Sequence, residues 1–600
     1  MIVMKRNKIP ICWNLLRCKR VQLLNQKFNC QVNTGNSISF ENPGEVMKAS
    51  DLFVKCLEAE GVKRIFGVPG EENADTMISL MDSPIEFVLC RHEQAAAFMA
   101  DAYGRLTGKA GVCLATLGPG ATNLVTGLAD ANMDRAPVVA IIGQGSTKRL
   151  HKESHQNMDS IAMLKPISKW AQSITDAKSM TEVVRKAFKL AEEEKPGVTV
   201  IELPEDVAKQ EINDRPMAVR KIRRPAADHK AIAQAVDLIS QAKNPILLAG
   251  NGAIRKRAAK QLLRLARKTG IGVVNTFMGK GAVPMSDEHC LFTMGLGSGD
   301  YNNLAFDEAD LVISCGYDLV EYSPAAWNRT NQDKKKIIHI DFKSAEVDRD
   351  YQTNVEIISD LADALWQLNE ELNRRFEPNL PVFDIQSRKP LRDAMAADFK
   401  AEQNDVAFPI KPQRVLNDVR EFMHAQDILL SDVGAHKMWI SRYYQCEDPN
   451  TCLISNGFCS MGFALPGSMG AKLAYPDRRV LSISGDAGFM MNVQELETAV
   501  RLGINVVAMI WVDGEYGLIK WKQQTGFSGK HSDLAFSNPD FSMLATSFGM
   551  WGREITHVDQ LLPALDEAFQ QNGPALIAVP VDYSENMKLT QRLGNVQIPL

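Results

Sequence analysis

The chain lacks several features that would announce a function class. No apolar run reaches the roughly 20 residues a bilayer requires, so no spanning helix is expected. The 11 cysteines form no Cys-x-x-Cys pair and no metal-ligand spacing, which points to reduced thiols in a cytosol-like compartment. GxGxxG is missing, and with it the usual dinucleotide fingerprint. A net charge of −4 gives no electrostatic case for nucleic acid. One absence is local: no acid precedes Glu41, whereas Lys5, Arg6, Lys8, Arg17, Lys19, Arg20 and Lys27 do. Residues 1–46 therefore read as an organelle transit segment or as an upstream extension without function, with Met47-Lys48-Ala49-Ser50-Asp51 as the natural start. The expected location is cytoplasmic, import through residues 1–46 being the alternative.

What is present is the composition of a soluble enzyme, 45% hydrophobic and 23% charged over 600 residues, enough for three or four domains. From Ala49 onward, helix and strand patterns alternate. Leu52–Glu60 is amphipathic, Arg64–Phe66 opens a strand, and Ile85–Cys90 is a strand that delivers Arg91-His92-Glu93 to a helix start. Val112–Thr116, the loop Leu117-Gly118-Pro119-Gly120, a helix from Asn123 and a strand from Val138 follow. Lys209–Asp228 reads as a linker, and strands at Pro245–Ala249, Val273–Thr276, Leu311–Cys315 and Ile337–Ile340 mark a middle domain. A charged segment at 369–411 reads as a second linker, and a last domain begins near Pro412. The expected fold is α/β, with three doubly wound parallel-sheet domains at 47–208, 228–368 and 412–586.

The most informative stretch is Val480–Lys522. A β-branched strand ends at Gly485-Asp486-Ala487-Gly488, Asn492 is placed to cap a helix, and Asn505–Val512 is a second strand. Asp486 and Asp513 thus fall just past two strand ends, where open α/β sheets bind ligands. Two carboxylates beside glycine-rich backbone suit a hard divalent cation that leaves room for phosphates. A purely structural unit with solvated aspartates is the plain alternative. The strand–glycine loop–helix–strand layout also occurs at Val112–Gly143 with a helix-opening asparagine, so the first and last thirds read as variants of one domain. Glu93 reads as an acid favoured by a helix dipole.

Gly485-Asp486-Ala487 followed by Asp513 resembles the signature of thiamine-diphosphate-dependent enzymes, usually Gly-Asp-Gly with a closing Asn-Asn; Ala487 and Val512-Asp513 depart from it. Arg91-His92-Glu93-Gln94-Ala95-Ala96-Ala97 resembles the segment carrying that family's activating glutamate. This implies that Glu93 hydrogen-bonds the coenzyme pyrimidine and promotes ylide formation. Ser455–Pro466 resembles the loop that bends the coenzyme, with Met461 as the wedge and Gly457 beside it; Asp432-Val433-Gly434-Ala435-His436 resembles the turn that meets the diphosphate. The resemblance implies Mg²⁺ on Asp486, Asp513 and Glu515, and coenzyme contacts from Gly485, Ala487, Gly488, Tyr516 and Gly517.

Within that group, His155-Gln156-Asn157-Met158-Asp159, Cys315–Tyr322, Trp327-Asn328 and Val581–Asn586 resemble the acetolactate synthases, nearer to the flavin-independent catabolic kind. The Gly-Ala-Arg-Phe-Asp-Asp-Arg motif of the flavin-containing kind is absent where Gly316-Tyr317-Asp318 stands, so FAD is not expected. The resemblance implies that two pyruvates condense to 2-acetolactate with loss of CO₂, in a homodimer or homotetramer whose active sites lie between subunits. Another thiamine-diphosphate-dependent decarboxylase, carboligase or oxidase is the alternative. Gln156 matches a substrate-side glutamine, and Leu518 and Trp521 match positions that shape the acceptor pocket, with ordinary core packing as their plainer reading. Lys522 stands where catabolic relatives carry glutamine.

Overall fold

The computed structural model describes residues 46–296, 300–329, 335–586 and 589. The extension 1–46 lies, but for Val46, outside them.

Three six-stranded sheets carry the chain, and every strand pair in them is parallel. Parallel sheets are covered on both faces, so their strands read as continuous apolar runs. Val138–Gln144 and Val198–Pro204 are such runs, buried at every position. Edge to edge, the first sheet runs Glu86–Leu89, Arg64–Gly67, Gly111–Ala115, Val138–Gln144, Val198–Pro204, Trp170–Ser173. The last runs Cys452–Ile454, Ile428–Ser431, Val480–Gly485, Val507–Val512, Ala575–Pro580, Trp551–Glu554. With strands counted in chain order, both sheets are 2-1-3-4-6-5. The kinship expected from the repeated layout is therefore a shared topology.

The middle sheet differs. Its order is Cys290–Thr293, Gly272–Asn275, Pro245–Ala249, Leu311–Cys315, Lys336–Asp341, Val355–Ile358, which is 3-2-1-4-5-6. That is the order of dinucleotide-binding folds.

Both expected linkers have structure. Glu211–Ile212 pairs with Met47–Lys48 as an antiparallel ribbon. The segment 369–411 holds the end of the helix Leu361–Phe376 and the helix Lys389–Ala401, whose Met395 and Phe399 are buried. Its weak periodicity reflects helices that cover the core with only a few side chains.

The first and last domains meet through the helices Glu93–Thr107 and Ala464–Ala474. A Cβ at Gly470 would lie 2.3 Å from the Met99 carbonyl oxygen, so only glycine permits this crossing. Phe98 and Phe463 seal it edge to face at 5.7 Å. Among the described residues, no helix is long and apolar enough to cross a membrane.

Candidate active site

Two glycine turns sit at equivalent places in the two related sheets, each where strands 1 and 3 part and leave a crevice. In the last domain the strand Ile428–Ser431 ends in Asp432-Val433-Gly434, and the helix Ala435–Tyr443 begins at once. Beside it the strand Val480–Gly485 gives way to the short helix Asp486–Met490. His436 lies between the two turns, close enough that a Cβ at Gly485 would stand 3.3 Å from its ring. It is buried, and burial pulls its imidazole down to about 3. Its Nε2 has no hydrogen-bond partner among the described residues. The free amides of a helix start make a cradle for an anionic group, and the unsatisfied Nε2 of the buried, neutral ring offers a lone pair to a hydroxyl on such a group.

Asp486 is buried beside that cradle. Its Oδ1 accepts from the Ala487 amide at 2.8 Å, and its Oδ2 accepts from the amides of Asp513 (3.1 Å) and Gly514 (2.8 Å) and from Asn538 Nδ2 (2.7 Å). Asp513 is thereby drawn towards Asp486, and its carboxyl is pushed up to about 7, by burial first and by the Asp486 charge second. A divalent cation between two such carboxylates relieves their repulsion, so the donors fit Mg²⁺. Gly517 completes the turn: a Cβ there would meet Asp513 Oδ2 at 2.7 Å.

The third expected carboxylate is not in this group. Lys520 holds the Glu515 side chain as an ion pair, and no cluster of three or more His, Cys, Asp or Glu suited to a metal occurs among the described residues. Tyr516 is exposed, edge-on to Phe536 at 5.3 Å. Trp521 is buried among the core side chains with Trp511, and Leu518 packs half-buried on that core.

Met461 lies on a loop clamped from both sides. Asp432, fully buried and pushed up to about 7 by burial, accepts from the amides of Gly462 (2.9 Å) and Phe463 (3.3 Å). From the first domain, Asp134 accepts from the amides of Asn456 (3.1 Å) and Gly457 (2.6 Å), and Asp130 accepts from Ser455 Oγ at 2.6 Å. The Gly457 amide is thus already engaged within the chain.

The crevice of the first domain carries Glu93. His92 caps the helix by accepting from the Gln94 amide at 3.1 Å. Glu93 is buried, with Oε2 accepting from Asn123 Nδ2 at 2.9 Å. Glu495, reaching across from the last domain, accepts from the Arg91 and His92 amides at 3.0–3.3 Å and fixes the approach to Glu93. Gln156 is exposed with φ 55°, its carbonyl oxygen 2.9 Å from where a Gly118 Cβ would be. The loop Gly118–Gly120 therefore brings Glu93 and Gln156 together.

Both asparagines expected as helix caps serve otherwise. Short helices, Pro119–Asn123 and Asp486–Met490, begin at the glycine turns themselves. The longer helices Val125–Met133 and Glu495–Arg501 follow, capped at Leu124 and Gln494, so Asn123 and Asn492 lie just ahead of the caps, and their amides donate to Glu93 and to the Gly462 carbonyl (2.8 Å).

Comparison with known proteins decides what these paired crevices belong to. Profiles described as "Thiamine pyrophosphate enzyme, N-terminal TPP binding domain", "central domain" and "C-terminal TPP binding domain" match residues 47–163, 232–368 and 432–579. The chain is 37% identical over 556 residues to "Acetolactate synthase, catabolic" of Raoultella terrigena, covering 92% of this chain and 98% of that protein. It belongs to the thiamine-diphosphate-dependent acetolactate synthase family. To "Acetolactate synthase" of Bacillus subtilis (strain 168) it is 36% identical, covering 90% and 94%. To "Acetolactate synthase 1, chloroplastic" of Nicotiana tabacum the figures are 34%, 94% and 86%. Asp134, Asp432, Glu495 and Asn123 position their neighbours through contacts that sequence reasoning did not foresee, since each partner lies far away in the chain.

Proposed function

We propose that this family member condenses two molecules of pyruvate into 2-acetolactate and CO₂, using thiamine diphosphate and Mg²⁺ and no flavin. The observation that carries this reading is the pairing of a buried acid, Glu93, with a two-carboxylate turn, Asp486 and Asp513, at matching crevices of two domains with one topology. When bound, the coenzyme supplies a nucleophilic carbon and an electron sink for decarboxylation. Asp486 and Asp513 would hold the metal, while Lys520 takes the Glu515 carboxylate. Val433, Gly434, Ala435, His436 and the Gly485–Gly488 turn receive the diphosphate, and Met461 is the apolar wedge under the coenzyme. Glu93 gives a hydrogen bond to, or takes one from, the pyrimidine ring, and Gln156 faces the substrate. Leu518 lines the acceptor side, with Trp521 supporting it from the core.

We assign the complete site to two chains, as the family resemblance implies, with a homodimer as the minimal active unit. The flavin-independent reading is supported by the middle domain. At the switch point of its 3-2-1-4-5-6 sheet, the Glu321 carboxylate accepts from the Asn251 amide (3.0 Å) and Thr276 Oγ1 (2.5 Å). Burial pushes this carboxyl up to about 8, and a side chain of the chain itself thus fills the place where a dinucleotide pyrophosphate would bind.

The test is incubation of the purified protein with pyruvate, Mg²⁺ and thiamine diphosphate, without added FAD, followed by product identification. Acetolactate is expected. Acetaldehyde or acetate as the main product, or activity only after FAD addition, would overturn the assignment.

A further inference from the structure

Lys437 occupies the first turn of the helix Ala435–Tyr443, next to His436, and is buried. A buried ammonium is costly unless oxygen acceptors surround it. Lys280, buried nearby, meets that demand: its Nζ donates to the Ser441 carbonyl at 2.9 Å and to Thr293 Oγ1 at 3.3 Å. Lys437 does not. Its Nζ donates to the Cys459 sulfur at 3.1 Å and lies 5.8 Å from the centroid of the Phe277 ring. No carboxylate or carbonyl oxygen bonds it among the described residues. The sulfur is a weak acceptor, so this cation is poorly satisfied while Cys459 is a thiol.

Cys459 itself is unlike its counterparts. Seven of the eight described cysteines are buried, and Cys459 is the exposed one. It sits at φ 60° on the clamped loop, between Gly457 and Met461, and its sulfur donates to the Asn456 carbonyl at 3.0 Å. An accessible thiol thus stands against a buried cation that lacks an oxygen partner.

We propose that Cys459 is an oxidation site for hydrogen peroxide, with Lys437 as the built-in partner of the oxidised sulfur. The Cys459 sulfur attacks one peroxide oxygen; an S–O bond forms and the O–O bond breaks. The sulfur loses two electrons to the peroxide, the departing hydroxide takes up the thiol proton, and water leaves. The new sulfenic oxygen is a far better acceptor for the Lys437 ammonium than the sulfur was, which favours the product. This step adds an oxygen two residues from Met461 and is independent of the reaction assigned above.

The test exposes the full-length protein to hydrogen peroxide with a cyclic 1,3-dione trap for sulfenic acids, and follows each cysteine peptide by mass spectrometry. Cys459 is expected to acquire the adduct at least about tenfold faster than any of the seven buried cysteines. Lys437→Met is expected to slow this about tenfold, whereas Lys437→Arg, which keeps a cation, should stay within about twofold of the wild type. A Cys459 rate no higher than that of the buried thiols overturns the proposal without recourse to any variant. So does an unchanged rate in a Lys437→Met protein whose circular dichroism is native.

Discussion

The first and last domains share one sheet order yet furnish the same crevice differently. In the first, the glycine turn Gly118-Pro119-Gly120 carries no acid; of the two buried carboxyls near it, Glu72 is tied to Thr116 and Arg149, and Glu93, which follows the edge strand Glu86–Leu89, is held by one asparagine. In the last, the turn itself carries Asp486, which gathers three amides and an asparagine and draws in a second carboxylate. A lone acid with one partner suits proton or hydrogen-bond exchange with a ring. Paired carboxylates beside free amides suit a cation and phosphates. One topology thus serves two chemistries through the residues at two strand ends.

The strongest test of that division is at its acid. Glu93→Gln is expected to lower turnover by about 10²–10⁴-fold, the range for losing a positioned acid or base, while coenzyme binding measured by titration calorimetry stays near wild type. Equal losses in both would erase the distinction between the crevices. Asp486→Ala should do the reverse, weakening Mg²⁺-dependent coenzyme binding by more than about 100-fold, since even outer-shell changes at metal sites cost about 10- to 100-fold. Asn123→Ala, which removes the partner of Glu93, should lower turnover by up to about tenfold, in line with the roughly 0.5–1.5 kcal/mol of an ordinary hydrogen bond. Coenzyme affinity should not follow it.

The smallest effect concerns the loop that both domains clamp. Burial, with the Asp134 charge second, pushes Asp130 up to about 7. A carboxyl raised above its unfolded value keeps its proton longer in the folded chain. Its stabilising contribution is therefore full below about pH 4 and is lost as the pH rises through about 7. Asp432, on the other side of the clamp, carries the same sign. The thermal midpoint of the coenzyme-free protein should fall as the pH is raised from about 5 to 8, and Asp130→Asn should flatten that slope. If only Asp432→Asn flattens it, the clamp belongs to the last domain alone.

Much of this was legible in the residues. Continuous apolar runs and period-3.6 patterns marked the alternating elements, and the Gly485-Asp486 turn and Glu93 could be placed at strand ends because such ends follow directly from where an apolar run stops. Asn123 and Asn492 were misplaced as caps, because a short helix at each glycine turn comes first and the longer helix starts only beyond the asparagine. Leu518, Trp521 and Glu515 showed what spacing leaves open. A helical offset places side chains on one face, but whether that face meets a pocket, the core or Lys520 depends on what packs against it.

The sequence by itself determined the α/β alternation, the kinship of the outer domains and the chemistry available at each turn, all of which depend on local pattern. Only the tertiary structure decided that Asp134 and Asp432 grip one loop, that Glu495 steadies the approach to Glu93, and that Glu321 fills the middle crevice. Those contacts join residues tens to hundreds of positions apart, and a carboxylate finds its amide only once separate sheets have packed together.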